Sequence, residues 1–258
     1  MNLIFFGSDR FAVPSLRRIF DSHHKILCVT TQPDSRAGRG LAVVATPIKQ
    51  MAKAINLPLY QPQDVNSNES YEFLKSLHPD LLCVVAFGQI LSRSILEIPK
   101  IMAVNLHASL LPKYRGAAPI NWALIKGETQ TGVSVIKMSQ KMDAGPIILQ
   151  KSLDIKESDN AQTLEDKLST LGADLVLEVL DLIQADRYSL IEQDEKDATY
   201  AAKMKKEDGL ILWGKPARDI FNLIRGCINW PGAFTYYQDK ILKIHKASRV
   251  SGYQGIRV

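Results

Sequence analysis

Three cysteines in 258 residues, Cys28, Cys83 and Cys227, are odd in number and far apart. Without CxxC spacing they make neither a disulfide framework nor a zinc set, and a reducing cytoplasmic compartment is expected. No apolar run is long enough to cross a membrane, and no basic region precedes an apolar core at the amino terminus, so no membrane partner or signal peptide is expected. The first strand-like run is followed by Gly7-Ser8 without GxGxxG spacing, and no Walker lysine loop follows, which disfavours a dinucleotide or nucleoside triphosphate site. What remains is ordinary: 46% hydrophobic and 23% charged residues, a globular composition that excludes disordered, collagenous and coiled-coil readings.

Charge is scarce in net terms but uneven. Residues 1–199 hold 21 Lys+Arg against 23 Asp+Glu, whereas residues 200–258 hold 11 against 4. A basic tail on a near-neutral body fits either a polyanionic partner such as nucleic acid or a solvated surface.

The first half alternates short apolar runs with helical patterns. Strands are expected at Asn2 to Phe6, Lys25 to Thr31, Asp80 to Phe87, Ile101 to His107 and Gly132 to Met138. Helices are expected at Phe11 to Phe20, Pro47 to Asn56, Ser67 to Leu77 and Ala118 to Lys126. Nearly all-apolar runs such as Asp80 to Phe87 suit parallel strands covered on both faces. The alternation predicts an α/β fold: a Rossmann-like, open, mostly parallel sheet with helices on both faces and right-handed crossovers. From Thr163 to Asp186, Leu164, Leu168, Leu171, Leu175, Val179, Leu182 and Ile183 form one apolar stripe at steps of three and four, a long helix. Residues 1–186 form the expected catalytic domain, 187–206 a polar linker, and 207–258 a partial small β domain. That last part comprises a helix from Lys215 to Arg225 and a hairpin of Ala233 to Tyr237 and Ile241 to His245 around Gln238-Asp239-Lys240.

Chemistry concentrates at Val104-Asn105-Leu106-His107. Asn105 and His107 are two apart in a strand, so they project to one face. They sit where the strand gives way to a Pro/Gly loop, the end at which open α/β sheets bind ligands. An amide beside an imidazole can stabilise a developing oxyanion and move a proton; the same pair is also an ordinary hydrogen-bonded strand end. Farther on, Asp143 precedes Ala144-Gly145-Pro146. It reads equally as a turn-former or as a carboxylate that would orient His107 and favour its imidazolium. Gln32-Pro33-Asp34-Ser35-Arg36-Ala37-Gly38-Arg39-Gly40 reads as a mobile loop whose two arginines suit phosphates or are merely solvated.

At these residues the chain resembles the folate-dependent formyltransferases, most closely those whose acceptor is a charged initiator tRNA. Asn105, His107 and Asp143 match the family's catalytic triad, and Ser109-Leu110-Leu111-Pro112-Lys113-Tyr114-Arg115-Gly116 is its most specific string. Trp230-Pro231-Gly232-Ala233-Phe234, like that string, is shared with sugar N-formyltransferases, which act on amino-sugar nucleotides and are the alternative reading. Thr31-Gln32-Pro33-Asp34, Ala37-Gly38-Arg39-Gly40, Phe87-Gly88-Gln89-Ile90-Leu91 and Lys206-Glu207-Asp208-Gly209 favour the tRNA branch.

The resemblance implies 10-formyltetrahydrofolate as formyl donor, the α-amino group of methionyl initiator tRNA as acceptor, and no metal. It implies a folate pocket lined by Phe87, Gly88, Gln89, Ile90, Leu91, Ser109, Leu110, Leu111 and Pro112. It implies tRNA contacts from Arg36 and Arg39 and, with the basic tail, from Lys203, Lys205, Lys206 and Lys243, in a monomeric enzyme. Two departures are evident. Leu41-Ala42-Val43-Val44 stands where the family commonly carries lysines, and the chain stops a couple of strands into the family's C-terminal β-barrel. A fragment or a short variant is therefore expected.

Overall fold

Two continuous apolar runs, Leu3-Ile4-Phe5-Phe6 and Leu81-Leu82-Cys83-Val84-Val85, are buried at every residue, the signature of strands covered on both faces. They lie side by side in a seven-stranded sheet. The computed structural model of the chain describes residues 1–37, 42–249 and 256–257. In space the strands run Ile147–Asp154, Gln130–Lys137, Met102–His107, Leu81–Val85, Asn2–Gly7, Lys25–Thr30 and Leu59–Tyr60. From Met102–His107 to Leu59–Tyr60 every pairing is parallel, and Gln130–Lys137 runs antiparallel to Met102–His107. The expected Rossmann-like, mostly parallel sheet is therefore present. Strand order reverses at Asn2–Gly7, which has Lys25–Thr30 on one side and Leu81–Val85 on the other.

The chain divides into two compact units. The first comprises Met1–His107, Val133–Lys151 and Ser169–Gln193; the second comprises Ala108–Gly132, Ser152–Leu168 and Asp194–Val258. In the first, Ala103, Leu82, Val84, Ile4 and Phe6 pack with Leu74 and Ile95, from the helices Asn68–Ser76 and Arg93–Leu96. The opposite face of Met102–His107 meets the long helix Ala161–Gln184, where the Leu106 side chain packs on Gly172. Of the stripe expected on that helix, Leu164, Leu168, Leu175, Val179 and Ile183 are buried, and so are Val176 and Leu180. Its apolar face is broader than the pattern implied.

In the second unit, helix Ala217–Gly226 packs through Ile220 and Ile224 against Ile211, Ala233 and Ile244. The hairpin pairs Tyr237 directly with Lys240. Its loop is therefore the two residues Gln238 and Asp239, both at positive φ, the geometry of a type I′ turn. Lys240, expected in the loop, belongs to the strand.

Two segments expected to be irregular are ordered. Ser35–Ala37 and Ala42–Val44 pair as antiparallel strands within the arginine-bearing segment. In the stretch read as a linker, Tyr200–Ala201 pairs in parallel with Arg115–Gly116. The Thr199 carbonyl accepts from the Arg115 amide at 2.8 Å, and Glu195 pairs with the Arg115 guanidinium at 2.9 Å. Polar composition hid this role, because the segment contributes backbone groups and one carboxylate rather than apolar area. Among the described residues no helix is long and apolar enough to cross a membrane.

Asp34 ties the segment after Lys25–Thr30 to the helix Pro47–Ala54. It accepts from Lys49 Nζ at 2.6 Å and Gln61 Nε2 at 3.0 Å, and Lys49 first and Gln61 next hold its carboxyl below the usual carboxylate range. A depressed folded-state pKa contributes stability above the unfolded value, and that contribution is lost as pH falls through the folded value. Asp34→Asn is therefore expected to melt below wild type at neutral pH, with the difference shrinking in acid. Melting curves from pH 7 down to the acid transition check this. Leu82, fully buried in the sheet, gives a larger effect: Leu82→Ala is expected to cost about 2–5 kcal/mol in urea unfolding.

Candidate functional site

Alternation along a strand places Ala103, Asn105 and His107 on one face of Met102–His107. Ala103 lies in the packed core beneath the helices, Asn105 is half-buried, and His107 ends the strand with 7% of its side chain exposed. The apolar face thus gives way to polar groups at the carboxyl edge, where parallel sheets receive ligands.

Asp143 comes to this edge from the turn after Gln130–Lys137. Its Oδ2 lies 3.6 Å from His107 Nδ1, with 14% of its side chain exposed. Asp143 has φ +51°, a left-handed conformation that Asp tolerates better than most residues. The turn is pinned from two directions. The Gln193 amide donates through Nε2 to the Asp143 carbonyl at 2.8 Å and the Gly145 carbonyl at 2.7 Å. On the other side the backbone of Gly145 lies so close to Lys137 that a Cβ would sit 1.9 Å from the Lys137 carbonyl oxygen; only glycine allows that approach. Of the three residues singled out by the sequence, the fold brings Asp143 to His107, and Asn105 lies two residues back on the same face of the strand.

Across the antiparallel pair, Ser134 stands opposite His107 and Ile136 opposite Asn105. Ser134 is fully buried, and its hydroxyl accepts from Gln150 Nε2 at 2.7 Å. Neither glutamine, nor Ser134, was marked by the sequence, because single amide and hydroxyl side chains in polar or alternating runs carry no spacing signal.

The switch in strand order marks another edge, where Gly7-Ser8 meets Ala86-Phe87. There the Ser8 and Asp9 amides both donate to the Ala86 carbonyl, at 3.1 and 3.4 Å. Two of the amide donors a bound phosphate would need are thereby committed, consistent with the absent glycine fingerprint. The Phe87 carbonyl accepts from Ser8 Oγ at 2.8 Å and Gln32 Nε2 at 3.0 Å.

From this anchor the Phe87–Leu91 loop runs past the ends of the strands. Phe87 and Leu91 are core residues, while Ile90 is 70% exposed. Gly88 has φ +85°, and a Cβ there would meet the Gln32 amide at 2.3 Å. The Gln89 Oε1 accepts from the Val65 amide at 3.0 Å, and Asn66 Nδ2 donates to the Ile90 carbonyl at 2.9 Å. Of the five residues expected to line a pocket here, Gly88 and Ile90 present surface, whereas Phe87 and Leu91 support them from below.

Ser109, Leu110, Leu111 and Pro112 follow His107 directly in the chain but belong to the second unit. Ser109 is fully buried and donates to the Lys113 carbonyl at 2.6 Å. Lys203, Lys205, Lys206 and Lys243 are exposed in that unit. Arg225, which shares the basic tail, is instead half-buried: it donates to the Lys156 and Asp159 carbonyls at 3.1 and 3.4 Å, and burial lowers its pKa. Arg36 lies on the short strand Ser35–Ala37, and Arg39 falls outside the described residues.

Two family models match the chain: formyl transferase over residues 1–180 and formyl transferase, C-terminal domain, over residues 203–256. A methionyl-tRNA formyltransferase of Thermodesulfovibrio yellowstonii is 48% identical over 97% of this chain and 81% of its own length. One of Caldanaerobacter subterraneus subsp. tengcongensis is 44% identical over 98% and 82%. Among solved structures, the N-formyltransferase of Helicobacter canadensis in complex with folinic acid and dTDP-3-aminofucose superposes with TM-score 0.75 at 21% identity, covering 97% of this chain and 90% of its own. The methionyl-tRNA formyltransferase of Clostridium thermocellum superposes with TM-score 0.67 at 18% identity, covering 100% and 96%. Structural likeness at such identities is shared by sugar-directed and tRNA-directed enzymes alike; the sequence relatives separate them. The chain belongs to the methionyl-tRNA formyltransferase family.

Proposed function

We propose that Asn105, His107 and Asp143 carry the transfer of a formyl group from 10-formyltetrahydrofolate to the α-amino group of methionyl initiator tRNA. The observation that supports this most directly is the 3.6 Å approach of Asp143 to His107 at the carboxyl edge of the sheet, with Asn105 two residues back on the same face.

The folate supplies the formyl carbon. Nucleophilic addition of the acceptor amine there drives negative charge onto the formyl oxygen. The Asn105 amide and the His107 ring donate to that oxygen; donors fixed in advance of the reaction stabilise it without having to reorganise. With Nδ1 turned to Asp143, Nε2 is the ring nitrogen that meets substrate. Asp143 offsets positive charge on the ring and, directly or through a water, takes part in moving the amine's proton, which passes to the folate nitrogen as the bond from that nitrogen to the formyl carbon breaks. Gln193 is a positioning residue, since it touches the Asp143 backbone and not the reacting atoms.

The pteridine of the donor is assigned to the Phe87–Leu91 loop. The residues there fit it: Ile90 offers an exposed apolar side chain, and the loop backbone is held by Ser8, Gln32 and Asn66. Ser109 to Pro112 are assigned to the same ligand on the family string they carry. The acceptor's phosphates are assigned to Lys203, Lys205, Lys206 and Lys243, with Arg36 and Arg39 near the acceptor end. Residues 1–186 are read as the catalytic part, 187–206 as the connection and 207–258 as the tRNA-directed part.

Four outcomes test this. In formyl-transfer assays, Asn105→Ala is expected to lower kcat by about a hundred- to a thousand-fold, and His107→Ala and Asp143→Asn by about a hundred- to ten-thousand-fold; unchanged rates would remove the assigned triad. Gln193→Leu is expected to lower kcat by about ten- to a hundred-fold with KM for tRNA nearly unchanged, because small misplacements of a catalytic group are costly. KM for tRNA should rise steeply with salt, and replacing Lys203, Lys205, Lys206 and Lys243 by Ala should flatten the log–log slope by about one for each phosphate left without its lysine. An amino-sugar nucleotide offered with the same donor should remain unformylated.

A further inference from the structure

At the amino-terminal edge of the sheet, the end opposite His107, two adjacent histidines and a carboxylate converge. His23 and His24 immediately precede the strand Lys25–Thr30, and Asp181 lies on the long helix Ala161–Gln184. The Nε2 of His24 is 3.0 Å from Asp181 Oδ1, and the Nε2 of His23 is 3.5 Å from the same oxygen. One ligand atom from each of the three residues falls within 4.8 Å of the others. The His24 ring is wholly buried, whereas His23 and Asp181 are half or more exposed. One face of the cluster is thus walled and the other open to solvent.

We propose that His23, His24 and Asp181 form a binding site for a first-row divalent transition metal ion, with zinc as the representative. Imidazole and carboxylate are the donor set this class of ion takes. Zinc bonds nitrogen at about 2.0–2.1 Å and carboxylate oxygen at about 2.0–2.2 Å in tetrahedral sites. A tetrahedron of that size has ligand–ligand edges of roughly 3.3 Å, and the two measured edges bracket it. Zinc coordination therefore needs little rearrangement of the two edges to Asp181.

The surroundings agree. Gln184 Oε1 lies 3.1 Å from His23 Nε2, one helical turn from Asp181, so a further oxygen is at hand beside the open position. The other ring nitrogen of His24, Nδ1, is 3.3 Å from the Met1 ammonium, which donates to it. The neighbouring cations do not compete for Asp181: Arg18 pairs with Asp174 at 3.0 Å and Lys151 pairs with Glu178. On binding, the Nε2 proton of His24 is released to solvent and the metal takes its place, while Nδ1 takes a proton from the Met1 ammonium, so that the ring stays neutral and the amine becomes its acceptor.

Such a site joins the loop before the second strand to the last turn of the long helix. It lies a whole strand away from His107, about 20 Å at 3.3 Å per residue, so its role is to clamp the first unit rather than to take part in formyl transfer.

The test is calorimetric titration of the full chain with zinc ion, and with cobalt ion followed by visible absorption. One saturable site is expected, with tetrahedral cobalt bands and a rise in Tm on adding zinc. His23→Gln and Asp181→Asn are each expected to weaken binding at least tenfold and to abolish the Tm rise, while formyl-transfer rates stay at wild type and report intact folding. Absence of saturable binding in wild type up to about 0.1 mM zinc overturns the proposal. So does binding that both variants retain at wild-type strength, which would put the ion elsewhere.

Discussion

The period of a β-strand is the constraint on which the site rests. Because side chains alternate, the face that carries Ala103 into the core must also carry Asn105 and His107 outward at the strand's end, while Leu106 turns back to pack on Gly172 of the long helix. Asn105 and His107 are therefore held by a packed sheet rather than by a loop, and their spacing is set by backbone geometry. What the strand does not provide is the third group. Asp143 comes from a turn, and a turn has to be held if its carboxylate is to stay within 3.6 Å of the imidazole.

That holding is done by modest groups. One glutamine amide commits its nitrogen to the carbonyls either side of Ala144, and a glycine lets the turn lie against the Lys137 carbonyl. The same device recurs at the Phe87–Leu91 loop, where Ser8 and Gln32 share the Phe87 carbonyl and Asn66 holds that of Ile90. Side-chain amides suit this work: they satisfy buried or half-buried backbone acceptors that no neighbouring strand can reach, and they bring no charge to a site where charge has to be reserved for the reaction.

These supporting residues are also what a single sequence conceals. The sheet was legible because Leu3 to Phe6 and Leu81 to Val85 are apolar without interruption, and the long helix because its leucines recur at helical steps. Asn105, His107 and Asp143 were legible only through the strings around them. Nothing in composition or spacing distinguishes Gln193 from its polar neighbours, and the stretch containing it read as a connection. Arg115 was marked only as a member of the family string, which gives no sign that it is 1% exposed and paired with Glu195. Partners 50 residues away, as for Asp143 and Gln193, or 80 away, as for Arg115 and Glu195, decide such cases, and local pattern does not carry them.

The order of these parts along the chain has a temporal consequence. The strand bearing Asn105 and His107 and the turn bearing Asp143 are both synthesised before the long helix, but the amide that holds the turn is residue 193 of 258. A nascent polypeptide emerging from the ribosome would carry all three of these side chains well before it could fix their geometry. Fixed geometry would thus wait for residue 193, and a polypeptide ending between residues 143 and 193 would carry Asn105, His107 and Asp143 without the amide that holds the turn.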